Sequence, residues 1–288
     1  MIAELECLPC LVRQAKEMAL MTTDDVRLQK RIMRSVLSFM SGTDLDRSPP
    51  EIMQNVGEVV SSITGVEDPY REIKAIHTRA ALDMLPRMDE IVREAADPFT
   101  AGLKLAIAGN IIDLGAKQRV SDDEISNTLH EALHLPVRGL DPSELKARVR
   151  AAKRVLYLAD NAGETVFDRK FLEQFPAGRT VVAVRGGPAL NDATMEDARA
   201  AGLHTVAELV GNGSGAPATV LSDCSPEFRE LATTSDVIVA KGQGNYESLS
   251  SSGLPVHFLF RVKCHLVAGH CGFPMGSLVL LDTGAVRG

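Results

Sequence analysis

Residues 154–175, RVLYLADNAGETVFDRKFLEQF, join an apolar run of strand length to a stretch with helical spacing. The run ends in an acid and an amide, Asp160 and Asn161, rather than in a glycine turn. Asp and Asn often cap the helix that follows a strand. Their side-chain oxygens are also ligands for hard divalent cations. Taken alone, this pair supports the structural and the metal-binding interpretations equally.

Similar apolar runs recur through the second half of the chain and alternate with helical stretches. After residues 154–160 they lie at residues 180–186, 204–210, 236–242, 256–262 and 277–282. Continuous apolar runs between helices are typical of a mainly parallel sheet with helices on both faces. The sequence therefore predicts an α/β fold class, with a Rossmann-like three-layer α/β/α domain over residues 151–288.

The first half of the chain has apolar residues at three- and four-residue spacing, which predicts an all-helical N-terminal domain over residues 1–150. The helices are expected near residues 8–20, 24–41, 50–64, 69–95, 98–113, 122–134 and 142–152. Several starts carry a capping residue followed by proline, namely Ser48–Pro49, Asp68–Pro69, Asp97–Pro98 and Asp141–Pro142. We expect the two domains to pack directly together and to form a cleft between them.

Composition restricts the class of protein. The net charge of −7 argues against an electrostatic grip on nucleic acid. No window approaches the ~20 apolar residues that a membrane span requires, so no membrane partner is expected and the predicted location is the cytoplasm. Five cysteines, an odd number in a chain of 288 residues, argue against a disulfide framework.

Polar residues follow the apolar runs at the point where ligands of open α/β sheets bind. Glu164 lies just beyond the first pair, Arg185 ends the second run, and Lys241 and Gly242 end the fourth. A second acid–amide pair, Asn191 and Asp192, favours the metal-binding interpretation. Oxygen ligands beside cations and glycine-rich turns predict one divalent metal next to a small phosphorylated metabolite.

Three further features each have two interpretations. Residues 211–217, GNGSGAP, lack dinucleotide-loop spacing and are interpreted as a flexible phosphate-side or gating loop. Lys241 is either a solvated lysine at a strand end or a phosphate contact, and the glycines beside it favour the second. Asn110 and Asp113 share a helix face in an apolar stretch, so they are either satisfied within the core and at a helix end or directed into the cleft. We favour the cleft.

Several motifs, taken together and in this order, carry a resemblance over most of the chain. LADNAGE, RGGPALNDAT and AKGQGNYE, with AGNIIDLG upstream, resemble the damage-control phosphatase family, also catalogued as the domain of unknown function 89 family. CLPCLVRQA and DPYREIKA resemble its prokaryotic, cysteine-containing branch. The resemblance implies a helical domain beside a Rossmann-like domain. It also implies hydrolysis of phosphate monoesters with manganese, cobalt, nickel or magnesium, and no organic cofactor is expected.

The resemblance also implies roles for individual residues. It makes Asp160, Asn161 and Asp192 the metal ligands. The residues that it places around the substrate are Glu164, Asn110, Asp113, Asn191 and Lys241. Arg185 and Gly242 are added as substrate-binding residues from their positions at strand ends. Sugar phosphates and nucleotide-related phosphates are the expected substrates, and the resemblance implies a role in clearing damaged metabolites.

The predicted chemistry is metal-assisted hydrolysis, in which Glu164 or Asp113 orients the water or protonates the leaving group. In the alternative, the carboxylate of Asp160 or Asp192 attacks phosphorus, and the spacing does not decide between the two. Two other classes of function stay open: a non-catalytic sensor of phosphorylated metabolites and a nucleotide-binding Rossmann-like protein. The second lacks a glycine fingerprint after the first strand.

The cysteines form two short clusters near the ends of the chain. Cys7 and Cys10 make a C-x-x-C pair, and Cys264 and Cys271 lie within residues 263–271, KCHLVAGHC. If these clusters meet, the ligand count suits a second, soft-metal site. Buried thiols are the simpler interpretation, because free cysteine behaves as a small apolar residue.

Overall fold

The computed structural model describes residues 1–109 and 133–283. Within them the chain forms one seven-stranded sheet in the order β1-β7-β6-β5-β2-β3-β4. The strands are β1 (Val137–Gly139), β2 (Val155–Leu158), β3 (Thr180–Val184), β4 (Glu208–Gly211), β5 (Val237–Lys241), β6 (Val256–Arg261) and β7 (Leu278–Asp282). Neighbouring strands are parallel except for β6 and β7, which are antiparallel.

Helices cover both faces of this sheet and form a separate group near the N-terminus. They are α1 (Cys7–Thr22), α2 (Val26–Met40), α3 (Pro49–Thr64), α4 (Arg71–Asp83), α5 (Leu85–Glu94), α6 (Pro98–Gly109), α7 (Pro142–Ala151), α8 (Glu164–Leu172), α9 (Met195–Ala200), α10 (Pro226–Thr234), α11 (Gly242–Leu249) and α12 (His265–Cys271). The predicted three-layer α/β/α architecture with an N-terminal helical region is confirmed. No described helix has the length and apolar character needed to cross a membrane.

The central strands are buried on both faces, as their continuous apolar runs predict. Every residue of β2, β3 and β5 is buried. One face packs on α6, α7 and α8 through a core that includes Phe99, Tyr157 and Phe171. The other face packs on α10, α11 and α12 through a core that includes Phe228, Tyr246 and Phe258.

The N-terminal helices have a core of their own. Leu11 of α1, Ile32 of α2 and Val56 of α3 pack together with Tyr70. Helix α3 also contacts α11 of the sheet region. Strand β1 lies before residue 150 yet pairs with β7, so the sheet includes a strand from the segment assigned to the helical domain. The boundary at residue 150 stays a prediction.

Two local predictions can be compared with the structure. Ser48 and Glu51 form a capping box at the start of α3, and the Asp141 side chain accepts a hydrogen bond from the Ser143 amide at the start of α7, so both caps are confirmed.

The single helix predicted over residues 69–95 is wrong, because the chain breaks into α4 and α5 at Met84. Pro86 lies in the first turn of α5, where a proline without an amide hydrogen is tolerated; in a helix interior it is not.

The connection order creates a topological switch point beside β2. The chain runs from β2 outward through β3 to β4, and then returns to the other side of β2 as β5 and β6. The loops after β2 and β5 therefore leave in opposite directions and open a crevice beyond the carboxyl ends of these two strands.

A buried histidine of β6 gives one testable property of the fold. His257 Nδ1 lies 3.2 Å from the Ile238 carbonyl oxygen and Nε2 lies 2.8 Å from an Arg148 guanidinium nitrogen. Burial, with the charge of Arg148, lowers the pKa of His257. A lowered folded-state pKa contributes stability that is present above the unfolded pKa of about 6.5 and is lost as pH falls through the folded pKa.

We expect the free energy of unfolding to fall less between pH 7.5 and pH 5 in His257→Gln than in the wild type, because glutamine does not titrate. Urea denaturation at the two pH values measures this. The exposed His204 supplies the control, and His204→Gln is expected to keep the wild-type dependence. The same pH dependence in His257→Gln and the wild type would contradict the assignment.

Candidate active site

Backbone pairing brings the two acid–amide pairs together at the switch point. Asn161 and Asp192 form an isolated antiparallel bridge. The Ala193 amide donates to the Asp160 carbonyl oxygen at 2.8 Å, and the Ala162 amide donates to the Asn191 carbonyl oxygen at 2.9 Å. These bonds join the loop after β2 to the loop after β3. Asp160, Asn161 and Asp192 are therefore neighbours.

The Asp192 carboxylate is held from two sides. Its Oδ2 accepts a hydrogen bond from Arg185 Nε at 2.7 Å and another from the Ala218 amide at 2.8 Å. Arg185 is itself fixed, because its other nitrogens donate to Thr219 Oγ1 and to the Ala159 carbonyl oxygen, both at 2.9 Å. Since Arg185 is buried and engaged in these bonds, it orients Asp192 in this structure.

Asp160 lies in a crowded acidic environment. Burial raises the pKa of its carboxyl well above the ordinary value, and the charges of Glu164 and Asp192 raise it further, while Lys263 and Arg185 oppose the shift. Asn161 Nδ2 donates to the Glu164 carboxylate, which leaves the amide oxygen of Asn161 as the acceptor of that side chain. Two buried carboxylates and one amide oxygen are thus gathered where a cation would relieve their repulsion.

A fully buried ion pair lies behind this acidic cluster. Lys241 Nζ is 2.7 Å from Asp168 Oδ1 and 3.4 Å from Glu164 Oε2, and the Tyr157 hydroxyl donates to Asp168 at 2.8 Å. Burial lowers the pKa of Lys241, but the carboxylates of Asp168 and Glu164 outweigh burial and raise it overall. Burial raises the pKa of Asp168 to about 6, although Lys241 opposes that shift.

Lys241 is therefore not a solvated lysine at a strand end, which was the first of its two interpretations. Its side chain has no solvent exposure, and its ammonium contacts carboxylates of α8. Contact of Lys241 with a phosphate stays a prediction.

Gly242 is required by the position of Asp160. Gly242 has φ +80°, a conformation that L side chains rarely adopt, and a Cβ at this position would lie 1.9 Å from Asp160 Oδ2. The absence of a side chain at residue 242 is what lets the backbone and the carboxylate share this space. Its predicted contact with substrate is not tested by this geometry.

Two other residues near Asp192 have positive φ without being glycine. Leu190 has φ 49° and Ala218 has φ 60°. Such conformations cost about 1–3 kcal/mol each and concentrate at functional sites. Here they turn the loop that contains Asp192 and aim the Ala218 amide at its carboxylate.

A cavity of about 630 Å³ opens in front of the cluster. Four of the residues predicted for the metal and the substrate line it: Asp160, Asn161, Asn191 and Asp192. Glu164, Arg185 and Lys241 are buried behind this row. Helix α1 closes the opposite side of the cavity with Cys7, Cys10 and Arg13. The cleft between the helical region and the sheet was predicted, but the predicted residues Asn110 and Asp113 lie outside the described part of the chain.

Residues 211–217, interpreted from the sequence as a flexible phosphate-side or gating loop, are packed against their neighbours, and the role of the loop stays a prediction. Asn212 Oδ1 accepts hydrogen bonds from the Gly186 and Ser214 amides, both at 2.9 Å. The Ser214 hydroxyl donates to Asp223 at 2.6 Å, and both Asn212 and Ser214 are buried. Glycine is needed here for close packing, because a Cβ on Gly186 would lie 2.6 Å from the Gly213 backbone. The loop is a packed support for the Asp192 side of the site.

The two cysteine clusters meet at the cavity. Cys7, Cys10 and Cys264 line it, and Cys271 does not. In residues 1–109 and 133–283, no three His, Cys, Asp or Glu side chains are arranged to hold a metal ion. The second, soft-metal site therefore gains no support. The predicted ligands Asp160, Asn161 and Asp192 fall outside that count of His, Cys, Asp and Glu, because Asn161 is an amide.

Sequence reasoning missed the buried partners of the site. Asp168 is four residues after Glu164, so both carboxylates lie on one face of α8 and both reach Lys241. That spacing was a usable signal. The roles of Tyr157 and of the Ala218 amide depend on packing between distant segments and leave no local signal.

The fold and the site define an α/β protein with an acidic, oxygen-rich cluster at the switch point of its sheet. Comparison with known proteins shows which family of α/β proteins this chain belongs to. The family model of the damage-control phosphatase ARMT1-like domain matches residues 3–279, so the chain belongs to that family. Relatives named as damage-control phosphatases support the conclusion that the protein is a phosphatase. The resemblance seen in the sequence motifs is confirmed.

The similarity to individual proteins extends over nearly their full length. A damage-control phosphatase of Archaeoglobus fulgidus is 33% identical over 95% of this chain and 96% of its own. A damage-control phosphatase of Pyrococcus horikoshii is 31% identical over 98% of each chain. The crystal structure of a DUF89 family protein from Pyrococcus horikoshii superposes with a TM-score of 0.90, covering 98% of this chain and 99% of that one.

Proposed function

We propose that this phosphatase depends on a divalent metal and hydrolyses small phosphate monoesters, with sugar phosphates and nucleotide-related phosphates as the substrate class. The observation that carries the proposal is the convergence of Asp160, Asn161 and Asp192 on one cavity at the switch point of the sheet. The cavity is open to a small metabolite, and its volume is in the usual range of about 300–1,000 Å³ for such ligands.

The donor set fits a hard cation. Carboxylate and amide oxygens are the ligands that magnesium and manganese prefer, and cobalt and nickel accept them as well. The burial of Asp160 beside Glu164 and Asp192 supports the same conclusion, because the structure concentrates negative charge there. We propose Asp160, Asn161 and Asp192 as the ligands.

A divalent cation bound there would polarise a phosphoryl oxygen and lower the pKa of a bound water. The chain contributes orientation. Arg185 and the Ala218 amide hold Asp192, and the Asn161–Asp192 bridge holds the two loops in register. Asn191 lines the cavity beside the ligands, where its side chain is placed to contact the substrate.

Glu164 is proposed to orient the water or to protonate the leaving group, because it adjoins Asn161 and Lys241. We assign the attack to water, because two hydrogen bonds to Oδ2 of Asp192 make that oxygen a poorer nucleophile. Attack by the carboxylate of Asp160 or by the other oxygen of Asp192 stays the alternative. Arg185 and Lys241 are assigned positioning roles through Asp192 and Glu164, and the role of Asp113 stays a prediction.

The proposal predicts that chelation abolishes phosphate release and that manganese, cobalt, nickel or magnesium restores it. The measurement uses para-nitrophenyl phosphate and a panel of sugar and nucleotide phosphates. Asp160→Ala and Asp192→Ala are each expected to lower kcat/KM at least about hundredfold, because each removes a ligand of the cation that stabilises the transition state.

The exposed Glu208 provides the matched control, since Glu208→Ala also removes one carboxylate but lies on β4 away from the cavity. This variant should retain wild-type activity. Full activity in the chelated wild type, or in both aspartate variants, would overturn metal dependence. Tight binding of phosphate esters without any phosphate release would favour the sensor function instead.

A further inference from the structure

The cavity extends well beyond the acidic cluster, and its outer part contains two basic residues. Arg13 comes from α1, and Lys263 follows β6. They belong to the helical region and to the sheet region respectively, so the two halves of the molecule each supply one cation to the same space. The volume of about 630 Å³ exceeds what a phosphoryl group alone would fill, so the cavity has room for a ligand of metabolite size.

Neither cation forms an ion pair with a carboxylate in the part of the chain that the structure describes. Among the ion pairs of the described residues, the buried cations Lys74, Lys170, Arg185 and Lys241 each contact a carboxylate within 4.0 Å, whereas Arg13 and Lys263 contact none. The guanidinium of Arg13 donates to Cys10 Sγ at 3.2 Å, which is a weak acceptor. Both side chains are exposed, so their charged groups remain available to a ligand.

The backbone of Lys263 is anchored at the edge of the cavity. Its amide donates to Gln243 Oε1 at 2.8 Å, and Gln243 Nε2 donates to Glu247 Oε1 at 2.7 Å. Lys263 and Asp160 line the same cavity. The backbone of Lys263 is therefore fixed at the edge of the cavity that contains the proposed reaction centre.

Two acidic residues, Glu6 and Glu247, line the same cavity. Glu6 is exposed. Burial raises the pKa of Glu247, and the Met1 ammonium, which opposes that shift, donates to the Glu247 carbonyl oxygen at 2.6 Å. Gln243, the Met1 ammonium and Lys263 all act on the Glu247 carboxyl, so Lys263 is not its sole counter-charge.

We propose that Arg13 and Lys263 form a subsite for a second anionic group of the substrate. The preferred substrates are then phosphate esters that also carry a carboxylate or a second phosphate at the end remote from the scissile bond. This inference rests on the proposed function, because it assumes that the phosphoryl group is bound at Asp160, Asn161 and Asp192. Both cations give charge-assisted hydrogen bonds to either kind of anion.

The test measures binding with two probes that cannot be hydrolysed as esters. 4-Phosphonobutyrate has a phosphonate at one end and a carboxylate at the other, whereas butylphosphonate has the same chain length without the carboxylate. Calorimetric titration of the manganese-loaded protein is expected to show about tenfold tighter binding of 4-phosphonobutyrate, as one or two charge-assisted bonds would give. The double variant Arg13→Gln/Lys263→Gln is expected to bind the two probes equally.

Lys16 supplies the control, since it is an exposed cation on α1 that does not line the cavity. Lys16→Gln should keep the tenfold preference. Equal binding of the two probes by the wild type, or a preference that survives in the double variant, would overturn the subsite while leaving the phosphatase proposal intact. Failure of both probes to bind would overturn the subsite and count against the phosphoryl site as well.

Discussion

Gly242→Ala is expected to lower kcat/KM for phosphate esters at least about hundredfold, although the change adds a single methyl group. The new Cβ would lie 1.9 Å from Asp160 Oδ2, so the carboxylate must leave its position. The three atoms nearest to this Cβ all belong to the side chain of Asp160, which is buried. Steady-state phosphate release, together with metal affinity, measures the effect.

The chain contains a matched control for the backbone strain. Gly253 has φ +77°, close to the +80° of Gly242, but a Cβ on Gly253 would meet nothing within 4 Å. Gly253→Ala is therefore expected to cost about 1–2 kcal/mol of stability, as a left-handed L residue does, with activity unchanged. Near-wild-type activity in Gly242→Ala would show that the position of Asp160 is not critical.

Lys241→Met is expected to destabilise the protein by about 3–5 kcal/mol, the usual result of leaving a buried carboxylate without its partner. Lys241 has no solvent exposure, and neither does Asp168, which it contacts at 2.7 Å. Urea denaturation measures the loss. Lys241→Met/Asp168→Asn should recover part of it, because the uncompensated charge of Asp168 is then removed.

The same variant has a predictable pH dependence. The pKa of Asp168 is already raised to about 6 by burial, and loss of Lys241 raises it further. A carboxyl with a raised folded-state pKa contributes stability at low pH that is lost as pH rises through that pKa. The deficit of Lys241→Met relative to the wild type should therefore be larger at pH 8 than at pH 5.5. A deficit independent of pH would contradict the role of Asp168.

Much of the sheet could be predicted because its central strands are buried on both faces. The runs that include β2, β3 and β5 contain little but apolar residues, and such runs have few other interpretations. Strand β1 was missed because it has three residues and takes its place by pairing with β7. The antiparallel direction of β7 also depends on its partners, which no local pattern reveals.

The candidate site was partly predictable for a topological reason. Residues at the carboxyl ends of neighbouring parallel strands meet, so Asp160, Asn161 and Asp192 could be grouped before the structure was known. The environment of Lys241 could not be predicted from the sequence, because it depends on how α8 packs over β5. The same holds for residues 211–217, whose glycines resemble those of a mobile loop but allow close backbone packing on Gly186.

A titration of manganese into the protein, followed by the electron paramagnetic resonance signal of free Mn²⁺, tests whether Asp160, Asn161 and Asp192 hold a cation. The wild type is expected to bind one Mn²⁺. Asp160→Ala/Asp192→Ala should bind it at least about hundredfold more weakly, with Glu208→Ala unchanged. Binding of one Mn²⁺ with wild-type affinity by the folded double variant, or none by the folded wild type, would contradict the metal site.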